Sequence, residues 1–121
     1  MSRLLRIVVL VLVFTVAVGV GVRRWRDPEV ATLDDAARAG APGKFATLSN
    51  GTTHFELAGP DTGRVVVLVH GFSVPAYIWD STSTALSADG YRVVRYDLFG
   101  RGWSDRPDAA YDGAMYDAQL N

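Results

Sequence analysis

The sequence R-V-V-V-L-V-H-G-F at Arg64–Phe72 contains five consecutive apolar residues, Val65 to Val69, that end at His70-Gly71. A β-branched run of this length between glycines is typical of a strand that is buried on both faces, as in parallel sheets covered by helices. Ligands of open α/β sheets bind just outside the carboxyl ends of the strands. Because Gly71 lets the backbone turn sharply and approach a ligand closely, we expect a binding site at this strand end.

The residues before this strand predict a β-hairpin. Lys44–Leu48 and Thr52–Leu57 are two short β-like runs, and the Ser49-Asn50-Gly51 segment between them carries the Asn-Gly pair that favours a tight hairpin turn. His54 lies in the second run, and we expect it at the protein surface.

The residues after this strand predict one βαβ unit. We expect a loop, then a helix that runs to about Ala88 with Ala85 and Leu86 facing the sheet, then a strand over Tyr91–Tyr96. A glycine-punctuated loop follows, and residues Ala114–Asn121 are predicted to begin another helix.

Two motifs in this region resemble those of a known family. H-G-F at 70–72 and D-L-F-G-R-G-W-S-D-R-P at 97–107 are similar to the His-Gly-X and Asp-X-X-Gly-X-Gly-X-Ser patterns that follow the third and fourth strands of α/β-hydrolases. The segment G-T-T-H-F-E-L-A-G-P at 51–60 resembles the first hairpin of that family. The resemblance extends from Lys44 to Asn121. It implies the α/β fold class, with the amino-terminal portion of an α/β-hydrolase sheet formed by a β-hairpin plus one βαβ unit.

The resemblance also implies a role for the residue after His-Gly. In α/β-hydrolases its backbone N–H helps to form the oxyanion hole, and in this sequence that residue is Phe72. A donor fixed at a strand end can stabilise a developing oxyanion by a few kcal/mol. Gly71 and Ser73 are expected to contact the substrate beside it.

Five further residues of the two motifs are expected to have structural roles near the site: His70, Asp97, Gly100, Gly102 and Ser104. The nucleophile elbow has the pattern G-x-S-x-G, and neither Ser73 nor Ser104 is followed by the second glycine. Ser104 is therefore predicted to hold its own loop, and His70 is predicted to make a structural hydrogen bond.

The family's nucleophile, acid and catalytic histidine would all follow Asn121, so we interpret the chain as a truncated copy. In the family's strand order, the strand at Arg64–Val69 lies between the Tyr91–Tyr96 strand and the strand that carries the nucleophile. One edge of this apolar strand is therefore expected to be bare.

A hydrophobic membrane helix is predicted to precede the sheet. Ile7–Val22 is an uncharged run of sixteen residues, which spans roughly 24 Å as a helix against a hydrocarbon core of roughly 30 Å. Leu4 and Leu5 extend it. We predict a single-pass anchor that contacts the lipid bilayer through Ile7–Val22. The alternative is a signal peptide, which would leave a secreted protein after cleavage.

The predicted organisation has three parts: an anchor or signal segment at 1–26, an amphipathic helix and linker at 27–43, and a partial α/β-hydrolase domain at 44–121. In the second part, Asp27 is the predicted helix cap, and Val30, Leu33 and Ala37 are predicted to share one helix face.

Composition excludes several classes of function. Residues 1–26 contain five arginines and no acid, whereas residues 27–121 contain seven basic and thirteen acidic residues. An acidic body argues against nucleic acid as a partner. The chain has no cysteine, so disulfides and thiolate chemistry are excluded. No spacing of histidines and acids predicts a metal site, and no cofactor is expected.

These observations lead to one principal functional hypothesis and two alternatives. The first is a membrane-anchored hydrolase that, in full-length form, cleaves carboxylic esters or lipid-like acyl substrates with a serine nucleophile absent from this chain. The second is a relative with an aspartate nucleophile, similar to epoxide hydrolases or haloalkane dehalogenases. The third is a non-catalytic truncated membrane protein.

Overall fold

The computed structural model describes residues 2–26 and 33–121, which fall into two compact units divided between Thr32 and Leu33. The described part of the first unit contains one helix, α1, over Arg3–Trp25. Ser2 caps it, since its hydroxyl accepts a hydrogen bond from the N–H of Leu5 at 3.3 Å. A helix of this length spans about 34 Å, and all its side chains are exposed. By length and composition α1 can cross a membrane, and a signal sequence near the amino terminus has the same properties.

The second unit begins with a one-turn helix, α2, over Asp35–Arg38. Asp34 has an extended backbone and caps this helix, accepting from the N–H of Ala37 at 2.8 Å. The prediction that Leu33 and Ala37 share one helix face is therefore wrong, because the capping contact starts the helix after Leu33. The predicted cap at Asp27 and the rest of that predicted helix at 28–32 lie outside the described residues.

Four strands form one mixed sheet in the described part of the chain. They are β1 (Lys44–Leu48), β2 (Gly51–Ala58), β3 (Val65–Val69) and β4 (Arg92–Tyr96), in the spatial order β1-β2-β4-β3. The hairpin prediction is confirmed: β1 and β2 are antiparallel, and the pairing of Leu48 with Gly51 leaves a two-residue turn. The sheet is mixed because β2 runs antiparallel to β4, whereas β3 runs parallel to it.

The βαβ unit is also confirmed. A short 3₁₀ helix over Ala76–Trp79 leads into α3 (Asp80–Ala88), which connects the parallel strands β3 and β4. Ser83 is the buried residue of α3, with Leu86 and Ser87 half-buried beside it. These positions are three and four residues apart and so share a face. The prediction that Ala85 faces the sheet is wrong, since Ala85 lies off this face and is exposed.

Strand β3 lies at the edge of the sheet and pairs only with β4. Its residues alternate in exposure, and Val65, Val67 and Val69 are 60%, 43% and 42% exposed. The expectation that β3 is buried on both faces is therefore wrong, because the described helices leave one of its faces partly uncovered. The expectation of a bare edge agrees with this position.

The last helix, α4, covers Gly113–Leu120 and begins at Asp112, whose carboxylate accepts from the N–H of Met115 at 3.0 Å. Met115 and Gln119 are four residues apart and point into the unit together, where both are buried. Polar groups make up much of the buried interior, and several of them surround Asp97 at the end of β4. That end of the sheet holds the motif residues.

Candidate functional site

The carboxyl end of β3 carries His70, which is buried and joins two loops. Its Nε2 accepts a hydrogen bond from the N–H of Leu98 at 2.9 Å. The ring is therefore protonated at Nδ1, which lies 2.7 Å from the carbonyl oxygen of Gly71 and donates to it. Both ring nitrogens are committed to backbone groups, which leaves neither of them free to accept a proton from a nucleophile.

Phe72 is the residue for which the oxyanion role is predicted. Its backbone N–H has no acceptor among residues 33–121, and the residue is 83% exposed. Arg101, from the loop after β4, holds Phe72 in two ways. Its Nε donates to the carbonyl oxygen of Phe72 at 2.7 Å, and its guanidinium carbon lies 4.6 Å from the centre of the Phe72 ring. The result is an unpaired amide donor on a residue whose carbonyl and ring are both held.

Gly71 and Ser73, the predicted substrate contacts, are exposed on either side of Phe72. A Cβ added at Gly71 would meet no atom within 4 Å, and its φ is not in the left-handed region. The turn itself therefore does not demand glycine, and the space beside Gly71 is open. The hydroxyl of Ser73 makes no hydrogen bond within the described part of the chain.

Asp97 is the buried centre of the loops at this end of the sheet. Its Oδ1 accepts from the N–H of Ala76 at 2.8 Å, and its Oδ2 accepts from the N–H of Trp103 and from His54 Nδ1, both at 2.9 Å. One carboxylate thus fixes the loop after β3, through Ala76, and the loop after β4, through Trp103. Burial works to raise the pKa of Asp97, but the bond from His54 and the two amide donors outweigh it, so the pKa is lowered.

His54 is 2% exposed, so its prediction as a surface residue is wrong. It lies on β2, which is covered on both edges by β1 and β4. Its Nε2 is 2.5 Å from the carbonyl oxygen of Pro42, and the ring of Phe45 lies 5.3 Å away, centre to centre. Burial works to lower the pKa of His54, but the bonds to Asp97 and Pro42 and the charge of Asp97 raise it overall.

Ser104 connects these two residues through their backbones. Its side chain is fully buried, and its Oγ donates to the carbonyl oxygen of Asp97 at 2.5 Å while accepting from the N–H of His54 at 2.9 Å. Ser104 therefore ties its loop to β2 as well as to β4. A buried hydroxyl with both functions in use is not placed to act as a nucleophile.

The two glycines of the second motif have left-handed backbones that this packing requires. Gly102 has φ +50°, and a Cβ there would lie 2.1 Å from Asp97 Oδ2. Gly100 has φ +80°, and its N–H donates to the carbonyl oxygen of Asp105 at 2.8 Å. The motif thus encodes a loop that wraps around the carboxylate of Asp97.

The structure brings all the predicted site residues to one end of the sheet, and it adds two that sequence reasoning missed. The sequence places His54 at the surface, and its burial follows from the position of β2 between β1 and β4, which only the structure shows. The sequence assigns no site role to Arg101, whose one local signal is its place between Gly100 and Gly102. Within residues 2–26 and 33–121, no group of three or more His, Asp or Glu side chains could hold a metal ion.

Comparisons with known proteins agree with this geometry. Residues 66–120 match the model of the alpha/beta hydrolase family. The chain is 37% identical over 75 residues to the non-heme chloroperoxidase of Streptomyces lividans, covering 61% of this chain and 27% of that protein. It is 46% identical over 57 residues to epoxide hydrolase A of Mycobacterium tuberculosis, covering 46% of this chain and 18% of that one.

The fold is also similar to solved structures. The thioesterase domain from the curacin biosynthetic pathway superposes with a TM-score of 0.60 at 30% identity, over 64% of this chain and 29% of that one. The chain therefore spans 18–29% of the length of these three proteins. Their names cover different reactions.

Proposed function

We propose that this chain forms the oxyanion-binding part of a membrane-anchored hydrolase. The proposal rests on the match of residues 66–120 to the alpha/beta hydrolase family and on a fold similar to the amino-terminal part of that family's fold. The proposed substrates are carboxylic esters or lipid-like acyl compounds. The observation that carries this proposal is the backbone N–H of Phe72, which lacks an acceptor among residues 33–121 at the carboxyl end of β3.

The proposed chemistry assigns one step to this chain. A serine supplied from outside residues 1–121 attacks the acyl carbon, and its proton passes to a general base that is also outside them. The carbonyl oxygen becomes negatively charged in the tetrahedral intermediate, and the Phe72 N–H donates to it. The alcohol then leaves, and water hydrolyses the acyl-enzyme. Loss of one such donor lowers kcat by about 10²–10³ in enzymes of this kind.

The positions of the two loops support this role for Phe72. Arg101 binds its carbonyl oxygen, and Asp97 binds the N–H of Ala76 four residues later. Preorganised donors need no rearrangement when charge develops, which is the physical basis of their effect on rate. Gly71 and Ser73 are proposed to contact the substrate, and the open space beside Gly71 suits an approaching acyl group.

The similarity to epoxide hydrolase A of Mycobacterium tuberculosis favours a second candidate. In that case the nucleophile would be an aspartate, and the oxyanion would form when water hydrolyses the alkyl-enzyme ester. The residue at the nucleophile elbow separates the two candidates, and that residue is not among residues 1–121.

The anchoring part of the proposal rests on α1. We propose that residues 1–26 hold the protein at a lipid bilayer through Ile7–Val22, that 27–43 form a linker, and that 44–121 form the hydrolase part. The exposed, apolar side chains of α1 support this. After carbonate extraction of expressed protein, an anchored chain remains in the pellet at full mass. Release with loss of about 20 residues would instead identify a signal peptide.

The catalytic proposal is tested with a fluorophosphonate probe on two proteins. The 121-residue chain should show no labelling, whereas the product of the reading frame extended past Asn121 should be labelled at a serine in a G-x-S-x-G segment. Labelling of the 121-residue chain at Ser73 would overturn the assignment. An extended frame without any elbow residue would favour the third hypothesis, a membrane protein that has no activity.

A further inference from the structure

Both ring nitrogens of His54 face groups that accept hydrogen bonds. Nδ1 is 2.9 Å from Asp97 Oδ2, and Nε2 is 2.5 Å from the carbonyl oxygen of Pro42. A carbonyl oxygen cannot donate a proton, and Asp97 Oδ2 already accepts from the N–H of Trp103. Each contact therefore needs a proton on the imidazole side. A neutral ring has one N–H, so only the imidazolium satisfies both contacts.

The charges around His54 favour the imidazolium. Asp97 is the acid in contact, and Glu56 on the same strand is the other acid whose charge acts on the ring. Glu56 is itself paired with Arg95 at 2.8 Å. The aromatic ring of Phe45 on β1 packs near the His54 ring, and the carbonyl of Pro42 meets it from the segment before β1. The His54 ring is therefore nearly closed off from solvent, and the acceptors and acids beside it favour its charged form.

Asp97 links His54 to Phe72 from two directions. Its Oδ1 accepts from the N–H of Ala76, the buried first residue of the 3₁₀ helix that follows the Phe72 loop. Its Oδ2 holds the N–H of Trp103, two residues after Arg101, and Arg101 binds the carbonyl oxygen of Phe72. If His54 becomes neutral, one ring nitrogen has no proton, and its lone pair faces the lone pair of the Asp97 or Pro42 oxygen. Either the Pro42 segment moves away or the carboxylate of Asp97 turns and releases an amide.

We propose that His54 is a positioning residue: as an imidazolium it fixes Asp97, and through Asp97 it fixes the loop that presents the Phe72 N–H, so that the order of this site depends on pH. This inference deepens the proposed function by naming a control of the same site. The coupling from His54 to Phe72 is nevertheless a property of the folded chain and needs no hydrolysis to be seen.

The sign of the pH dependence follows from the raised pKa of His54. The stabilisation that the charged His54 gives to this site is fully present at a pH below the ordinary histidine pKa of about 6.5. It is lost as the pH rises through the higher pKa of the folded chain. Asp97 remains ionised throughout this range because its pKa is lowered. The loop around Phe72 should therefore be ordered at a pH below the folded pKa of His54 and should loosen as the pH rises through that value.

The test is a pH titration of the ¹⁵N-labelled full chain in detergent micelles, followed by NMR. We expect both ring nitrogens of His54 to be protonated at pH 6, and we expect its midpoint to lie above 6.5. The amide signals of Phe72, Ala76 and Trp103 should shift with that same midpoint. A singly protonated His54 at pH 6 would overturn the proposal. So would a Phe72 amide that stays constant while His54 titrates.

Two variants separate positioning from simple structural support. His54→Gln places a non-titrating amide in the same space, and we expect it to abolish the pH dependence of the Phe72 amide. Glu56→Gln is the matched control, since it removes the second acid near His54 and should lower the midpoint while keeping the Phe72 shift coupled to it. If His54→Gln does not fold, the NMR titration of the unmodified chain still tests whether the Phe72 amide shifts with the His54 midpoint. A Phe72 amide that titrates unchanged in His54→Gln would refute the coupling.

A parallel measurement keeps this inference distinct from the proposed function. If the extended protein cleaves an ester probe, kcat should fall as the pH rises through the midpoint of the His54 titration. KM should change less, because the oxyanion donor acts in the transition state. A protein that shows the NMR coupling but cleaves no ester would refute the proposed function alone. A protein that cleaves esters without the coupling would refute the role of His54 alone.

Discussion

Replacing Ser104 by alanine removes a fully buried hydroxyl that serves two backbone groups. The carbonyl oxygen of Asp97 loses the Ser104 donor but keeps the Gln119 side-chain amide at 3.0 Å. The N–H of His54 loses the acceptor at 2.9 Å that its sequence neighbours do not replace. A buried donor left without a partner costs about 1–3 kcal/mol. We therefore expect Ser104→Ala to lower the free energy of unfolding by about 2 kcal/mol, with nearly all of the loss arising at His54.

The measurement is urea unfolding of the full chain in detergent micelles, followed by tryptophan fluorescence. Trp103 lies beside the altered contact, since its N–H binds Asp97. Ser81→Ala is the matched control: Ser81 is exposed on α3, and such surface changes usually stay within about 0.5 kcal/mol. If Ser104→Ala unfolds at the same urea concentration as Ser81→Ala, with an equal slope, the hydroxyl does not satisfy a buried amide and the reasoning is refuted.

Three further predictions concern the same part of the molecule. Gly102→Ala should prevent stable folding, because the new Cβ would lie 2.1 Å from Asp97 Oδ2 at φ +50°. In the control Gly113→Ala, the new Cβ meets no atom within 4 Å, so its free energy of unfolding should stay within about 1 kcal/mol of that of the unmodified chain. Equal urea midpoints for the two variants would contradict this prediction. Asp112→Ala should cost about 1 kcal/mol, because the N–H of Met115 loses its capping acceptor, and an unchanged midpoint would argue against the cap. Because the pKa of Asp97 is lowered in the folded chain, its contribution to stability is fully present above the ordinary aspartate pKa and is lost as the pH falls through the folded value. A free energy of unfolding that stays constant between pH 5 and pH 2 would contradict that sign.

The local features of the fold were predictable because their causes are local. An Asn-Gly pair between two β-like runs gave the hairpin at the correct turn. The apolar run at Val65–Val69 gave β3 with its observed bounds, and the alternation of strand, helix and strand gave the parallel pairing of β3 with β4. The two motifs predicted that their residues lie together at one end of the sheet, since carboxyl ends of parallel strands share one edge, and the structure brings them together there.

The errors have a common origin in long-range packing. The apolar composition of β3 makes its burial favourable. Its place at the sheet edge nevertheless decides how much of Val65, Val67 and Val69 is covered. Ala85 was assigned to the sheet side of α3 from hydrophobicity alone, whereas the buried position belongs to Ser83. In each case a residue's surroundings depend on elements distant in sequence, which local periodicity cannot report.

The sequence by itself determined the strands, the hairpin, the βαβ unit, the apolar amino-terminal helix and the similarity of residues 66–120 to the alpha/beta hydrolase family, because each depends on neighbouring residues or on a contiguous motif. Only the tertiary structure decided that His54 meets Asp97, across 43 residues of chain. That contact exists because β2 lies beside β4 in the sheet, which places a histidine from the hairpin against a carboxylate from the second motif and so ties the fold to the loop that carries Phe72.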